Sequence, residues 1–310
     1  MAGSSRKAIY AALIGNLLIS VSKFTAAALT GSSAMISEGV HSMVDTGNQV
    51  LLLHGLRRAA TPACPRFPFG RGKEVYFWSF VVAILIFAVG AGVSLYEGVD
   101  HILAPVQAED PYINYIVLAL SMLFEGGSWY VAMREFSHSV KGRGWIEAIK
   151  RGKDPSMFVV LFEDSAAMLG LGVAFVGVLL SHLTGNPYYD GAASIIIGLI
   201  LGGTAIWLAY ETKGLLIGES ANPEVVAEIR KVLEGRENID GVNEILTMHM
   251  GPEFILVNIS VEFADNMTGP GLEVEIGEIE RLIKQSCPRV KRIFIEAESA
   301  RKKAAAEAAA

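Results

Sequence analysis

Cysteine is nearly absent from this sequence, where Cys64 and Cys287 are the only two among 310 residues. Both fall in segments assigned below to the cytoplasm, where thiols stay reduced, so neither a disulfide framework nor a cysteine metal cage is expected. Charge is scarce too: Asp, Glu, Lys and Arg make up 19% of the chain, against about 25% in an ordinary soluble domain. No P-loop lysine motif and no HExxH occurs, which removes the signatures of an ATP-driven motor and of a zincin-type hydrolase. The most telling absence is local. Segments 31–33, 104–111 and 184–187 contain no Lys or Arg.

What is present is apolar. The chain is 52% hydrophobic with a mean hydropathy of +0.41, the composition of a membrane protein. A span takes about 20 residues for a hydrocarbon core about 30 Å thick. Six stretches reach that length: Ile9 to Thr30, Ala34 to Leu56, Tyr76 to Leu103, Tyr112 to Met133, Ser156 to Leu183 and Tyr189 to Leu215. Each is expected to be helical, because backbone facing lipid must satisfy its own hydrogen bonds.

The basic residues alternate along this series. Arg6 and Lys7 precede the first stretch; Arg57, Arg58, Arg66, Arg71 and Lys73 follow the second; Arg134, Lys141, Arg143, Lys150, Arg151 and Lys153 follow the fourth. Lys and Arg are retained on the cytoplasmic side, so both termini are expected there. The net charge of −6 therefore averages over strongly segregated signs. A cleaved secretory signal is the rival reading of the first stretch. That stretch is longer than a signal core and carries Asn16, Ser22 and Lys23. No organelle-targeting presequence fits ahead of Ile9. The expected location is a bacterial cytoplasmic (inner) membrane.

Beyond Leu216 the pattern changes to polar and apolar alternation. Asn222 and Pro223 read as a helix cap and first-turn proline opening an amphipathic helix through Leu233. Strands are expected from Val242 to Met250 and from Phe254 to Phe263, turning at Gly251 and Pro252. A helix from Leu272 to Gln285 and a strand from Val290 to Glu296 complete an αββαβ order. The fold class is thus an α-helical membrane protein with six transmembrane helices and a C-terminal ferredoxin-like cytoplasmic domain. Its expected divisions are 1–216, 217–297 and a disordered tail, 298–310. So small a domain has an open antiparallel face to cover, and a homodimer is the expected partner arrangement.

Ionisable residues within spans are costly and by default functional. His41 and Asp45 are four apart, on one face of the second span. Imidazole nitrogen with carboxylate oxygen suits a borderline divalent cation such as zinc, and each must shed its proton to bind. HxxxD alone is a weak pattern, and a hydrogen-bonded core pair is the bland alternative. Glu163 and Asp164 sit about two turns into the fifth span, at comparable depth. Adjacent helix positions point about 100° apart, so one tetrahedral centre takes only one of them directly. Glu125 is a further candidate ligand or proton carrier, or the counter-ion of Lys23. Glu38 either lines the entry path or opposes the helix dipole. Asn16, Asn48 and Gln49 either ligate neutrally or bond between helices, the commoner use. Gly90 with Gly92, Gly170 with Gly172, and Gly198 with Gly202 and Gly203 permit close helix approach.

Several of these segments together carry a resemblance: Gly15-Asn16 with Lys23, Ser32-Ser33-Ala34 leading to His41-Ser42-Met43-Val44-Asp45, and Phe69-Gly70-Arg71-Gly72-Lys73-Glu74. To these add Glu163-Asp164-Ser165-Ala166-Ala167, Tyr189-Asp190-Gly191 and the αββαβ tail. With them the chain resembles the cation diffusion facilitator family over nearly its whole length. Asp154-Pro155-Ser156 through Asp164, with Gly185-Asn186-Pro187, resembles the branch that contains the ninth human zinc transporter. The resemblance implies a homodimer that exchanges zinc or a related divalent ion for protons. It implies metal ligands at His41, Asp45 and Asp164; Glu163, Glu125 and Glu38 stay additional metal or proton-coupling candidates on the strength of their own positions in the spans. One position departs from the family pattern: the residue four before Asp164 is Val160, which binds no metal. The centre then has three protein ligands and water, or borrows a carboxylate from Glu163 or Glu125. Oxygen-rich ligation would also serve manganese, iron or cobalt. In the tail, Glu296 stands where many relatives have histidine and His249 is isolated, so no cytoplasmic metal cluster is expected.

The expected activity is proton-coupled export of a divalent metal, most readily zinc, by alternating access, with no prosthetic group. A manganese- or iron-selective member of the same family is the nearest alternative. A membrane metal-dependent hydrolase with Glu163 as base would need a substrate-reading loop, and none of any size is evident. A binding scaffold without transport is the third possibility.

Overall fold

A computed structural model describes residues 2–30, 33–105, 111–140 and 153–299. The expected basic residues Lys141, Arg143, Lys150 and Arg151, the acidic Glu109 and Asp110, and tail residues 300–310 lie outside the described residues, as do the side chains of Glu38 and His41.

Among the described residues six long helices come first: α1 Ala2–Thr30, α2 Ser33–Ala59, α3 Glu74–Leu103, α4 Pro111–Val140, α5 Pro155–Thr184 and α6 Tyr188–Ile217. At 1.5 Å per residue each is roughly 40–45 Å long, ample for a bilayer. Among the described residues five of them are long and apolar enough to cross a membrane by length and composition. The one not in that set is α2, whose Asp45, Asn48, Gln49 and His54 lower its apolarity. Helix ends follow local chemistry. Pro155 occupies the first turn of α5, and Gly185, at φ +67°, ends it in the left-handed conformation that glycine adopts without strain.

The first compact unit comprises 1–59 and 74–213. Here α1 packs on α2 and α4, α4 on α5, and α2 on α3. Its polarity is inverted relative to a soluble protein. Asn16, Lys23, Asn48, Gln49, Glu125, Ser128, Glu163 and Asp164 are buried, while Leu103, Ile116, Leu123, Leu199 and Ile206 stand exposed. That distribution suits lipid as the surrounding solvent, where apolar side chains face outward and polar ones face each other. Within α3 the ladder widens into a π-helical segment at Ile86–Ala91. Such segments recur at functional sites, and nothing in the apolar pattern of Ile86 to Ala91 foretold this one.

The second unit comprises 214–310 together with the loop 60–73, which a linear division at 216 does not include. Its elements are α7 Pro223–Glu234, β1 Ile239–Gly251, β2 Phe254–Phe263, α8 Gly269–Ser286 and β3 Val290–Ala297. The αββαβ order matches the sequence pattern, but the sheet is mixed rather than antiparallel. In the order β1-β2-β3, β2 pairs antiparallel with β1 and parallel with β3, because the crossover through α8 returns the chain in the same direction. Alternate residues Ile255, Val257, Ile259 and Val261 of β2 face Ile229, Leu233, Ile279 and Ile283 of the two helices to form the core. Asn222 precedes α7 as expected, yet its side chain makes no capping bond; Thr268 does cap α8, accepting from the Gly271 N–H. Loop 60–73 is anchored through Gly72, where a Cβ would lie 2.4 Å from the Met250 carbonyl oxygen.

A half-buried ion pair ties α8 to the chain ahead of β1. The Arg236 guanidinium and the Asn238 amide both donate to the Glu275 carboxylate. The Arg236 hydrogen bond holds Glu275 below its ordinary 4.5 despite burial. A depressed carboxylate contributes stability that is complete above 4.5 and is lost as pH falls through the lower folded-state value. Arg236→Ala is expected to weaken hydrogen-exchange protection of α8 and β1 in the full chain by about 2 kcal/mol, below the range for a fully buried pair because Asn238 still bonds the carboxylate. Unchanged protection would show the pair to be dispensable.

Candidate metal site and its cavity

Helical spacing brings the membrane carboxylates together. On α2, Asp45 and Asn48 are three apart and share a face; on α5, Asp164, Ala167, Leu171, Ala174 and Val178 recur every three or four residues. Both sets line one cavity of about 450 Å³, along with Asn16 and Lys23 of α1 and Ser121 and Glu125 of α4. Asp45, Glu125, Glu163 and Asp164 against one lysine give the cavity an excess of negative charge, which favours a cation.

The buried polar groups are mutually held. Ser128 Oγ donates to Asp164 Oδ2 at 2.7 Å. Asn48 Nδ2 and Gln49 Nε2 donate to the two oxygens of Glu163, at 3.2 and 2.8 Å. Lys23 Nζ donates to Ser42 Oγ at 3.0 Å. Of the sequence candidates, Asp45, Glu125, Glu163 and Asp164 thus share the cavity wall, whereas Glu38 and His41 are not described at side-chain level. Val160 is fully buried. Among the described residues no three His, Cys, Asp or Glu side chains stand close enough to form a metal cluster.

Sequence reasoning passed over the far end of the same cavity. Glu97 and His101 of α3, Asn114 of α4, and Asp190 and Ser194 of α6 line it, with His101 Nδ1 3.2 Å from Asp190 Oδ2. Two glycines set this crossing. A Cβ on Gly98 would lie 2.8 Å from the Ile195 nitrogen and 2.9 Å from the Gly191 oxygen, so α3 and α6 meet backbone to backbone. The i, i+4 spacing of Glu97 and His101 was the available signal. Ser128, which holds Asp164, carried none, since an intramembrane serine more often bonds its own helix.

Residues 9–217 match the model of the cation efflux transmembrane domain. The mitochondrial proton-coupled zinc antiporter SLC30A9 of Xenopus laevis is 35% identical over 259 residues, 83% of this chain and 46% of that protein. The human counterpart is 33% identical over the same lengths and shares. The manganese efflux system protein MneP of Bacillus subtilis is 24% identical over 300 residues, covering 94% of this chain and 95% of the relative. The chain spans about half the length of the SLC30A9 relatives it matches.

Proposed function

We propose, from the premise that this chain belongs to the cation efflux family, that it exports zinc from the cytoplasm in exchange for protons. The family is one of transporters rather than enzymes, and the chain is a multi-pass membrane protein that moves a metal cation. The finer reading rests on one observation: half-buried Asp45 on α2 and buried Asp164 on α5 share a cavity inside a bundle whose outer surface is apolar.

In this reading His41, Asp45 and Asp164 hold the cargo, and α2 crosses the membrane with the other five helices, made less apolar by the ligands it carries. Metal enters from the cytoplasm and displaces protons from these groups; protons supplied from the other side release it. Imidazole titrates near neutral pH, so the exchange needs only a modest driving force. Both termini lie in the cytoplasm, the membrane is a bacterial inner membrane, and the C-terminal unit, ferredoxin-like in its αββαβ order, joins two copies. The functions of the relatives, zinc antiport and manganese efflux, both fall within this chemistry. Imidazole at His41 favours zinc.

The test is metal flux into proteoliposomes with an internal pH dye. His41→Ala and Asp45→Ala are each expected to abolish zinc uptake together with its proton signal. Equal competition by manganese, iron and cobalt would refute zinc preference, and unaltered flux in both variants would refute the site.

A further inference from the structure

The geometry points to Asn48 as the fourth protein ligand of the metal, through its side-chain oxygen Oδ1, with Glu163 as the residue that aims it. This rests on the reading of Asp45 and Asp164 as ligands and supplies what Val160 cannot.

A side-chain amide both donates and accepts, whereas an ionised carboxylate only accepts. Because Glu163 takes Nδ2 of Asn48 and Nε2 of Gln49, it fixes which end of each amide is which. Oδ1 of Asn48 and Oε1 of Gln49 are therefore directed away from it. Both oxygens are buried with no hydrogen-bond partner among the described residues. An acceptor left in that condition has lost its hydration without compensation, so it calls for an explanation.

The two amides differ in one respect. Asn48 lines the cavity and stands one turn beyond Asp45 on the same helix; Gln49 is not part of the lining. The unsatisfied oxygen of Asn48 thus belongs to a side chain on the wall shared by Asp45 and Asp164. A cation bound there would supply the missing contact once the side chain turns Oδ1 toward it. Glu163 gains a role consistent with its position: pointing about 100° from Asp164, it bonds the ligand-bearing helix instead of the metal. Carboxylates that orient metal-binding side chains in this manner are common outside the coordination sphere.

A carbonyl oxygen is a harder ligand than an imidazole nitrogen, and it suits manganese as well as zinc. Asn48 therefore sets selectivity as well as affinity.

Calorimetric titration of the full-length protein in detergent, with zinc alone and manganese alone, separates the possibilities. Asn48→Ala and Asn48→Gln, the latter moving the oxygen by one methylene, are expected to weaken zinc binding by about 10- to 100-fold and manganese binding by more. Gln49→Ala removes the other amide from Glu163 without touching the cavity and gives the structural baseline. Losses equal to that baseline, or an unaltered zinc-to-manganese ratio in both Asn48 variants, would overturn the assignment. Asp45→Ala in the same assay reports on the underlying site: if it binds zinc like the parent, the proposed function fails on its own account. Asn48→Ser keeps a polar side chain at the position, so a loss of binding in a variant with the parental melting temperature excludes misfolding as its cause.

Discussion

Asp164→Asn is expected to lower zinc flux by on the order of 100-fold, the upper end of what the loss of even an outer-sphere partner costs a metal centre. The substitution removes charge and almost nothing else. Asp164 is 1% exposed and accepts from Ser128 Oγ; the asparagine oxygen can accept the same bond, so the α4–α5 contact survives. What disappears is an anionic oxygen in a cavity that holds Lys23 as well as Asp45 and Glu125. Taking a divalent cation out of water into such a place requires anionic ligands to replace its hydration. Ser128→Ala tests the support of that ligand. It leaves the carboxylate in place but untethered, and a loss nearer tenfold is expected. Both are read as initial rates of zinc uptake, normalised to reconstituted protein. Parental rates in Asp164→Asn would remove this residue from the site.

The helical spans were legible because length and apolarity survive any tertiary arrangement. Ile9 to Thr30 and Tyr189 to Leu215 fall inside α1 and α6, and the strands and helices of the tail lie within a few residues of their expected limits. Pairing direction was not legible. Alternation fixes which residues of β2 face the core, but it says nothing of whether β3 runs with β2 or against it. The loop carrying Gly70, Arg71 and Gly72 read as a span connector, and only three-dimensional proximity joins Gly72 to Met250 and Gly251.

In the site, sequence supplied the acids and missed their bonding. Glu163 and Asp164 are adjacent, and depth in the bilayer does not distinguish them. The distinction comes from α2, which offers Glu163 two amides while α4 offers Asp164 a hydroxyl. Spacing along one helix cannot reveal donors on another. Asn48 and Gln49 were read as interhelical bonds first and neutral ligands second. Their amide nitrogens bear out the first use, and the second turns on the opposite end of Asn48.

Gly98→Ala is expected to cost about 3 kcal/mol, the top of the usual range for overpacking. Two of the atoms that the new Cβ would strike are backbone: the Ile195 nitrogen at 2.8 Å and the Gly191 oxygen at 2.9 Å. Side chains can rotate away, but a helix backbone moves only as a body, so α3 and α6 must separate. The consequence reaches the cavity, because His101 and Asp190 bridge the same two helices one turn or less from the clash. A lower melting temperature should therefore accompany slower flux, while zinc binding at Asp45 and Asp164, which lie on α2 and α5, should persist. Gly203→Ala is the matched control, with no atom within 4 Å of its Cβ position. It adds a methyl group to the same helix α6 and is expected to change the melting temperature little. Equal effects from the two substitutions would mean that the loss of glycine itself, rather than the backbone contact at Gly98, governs stability, and the close crossing would lose its place in holding α3 against α6.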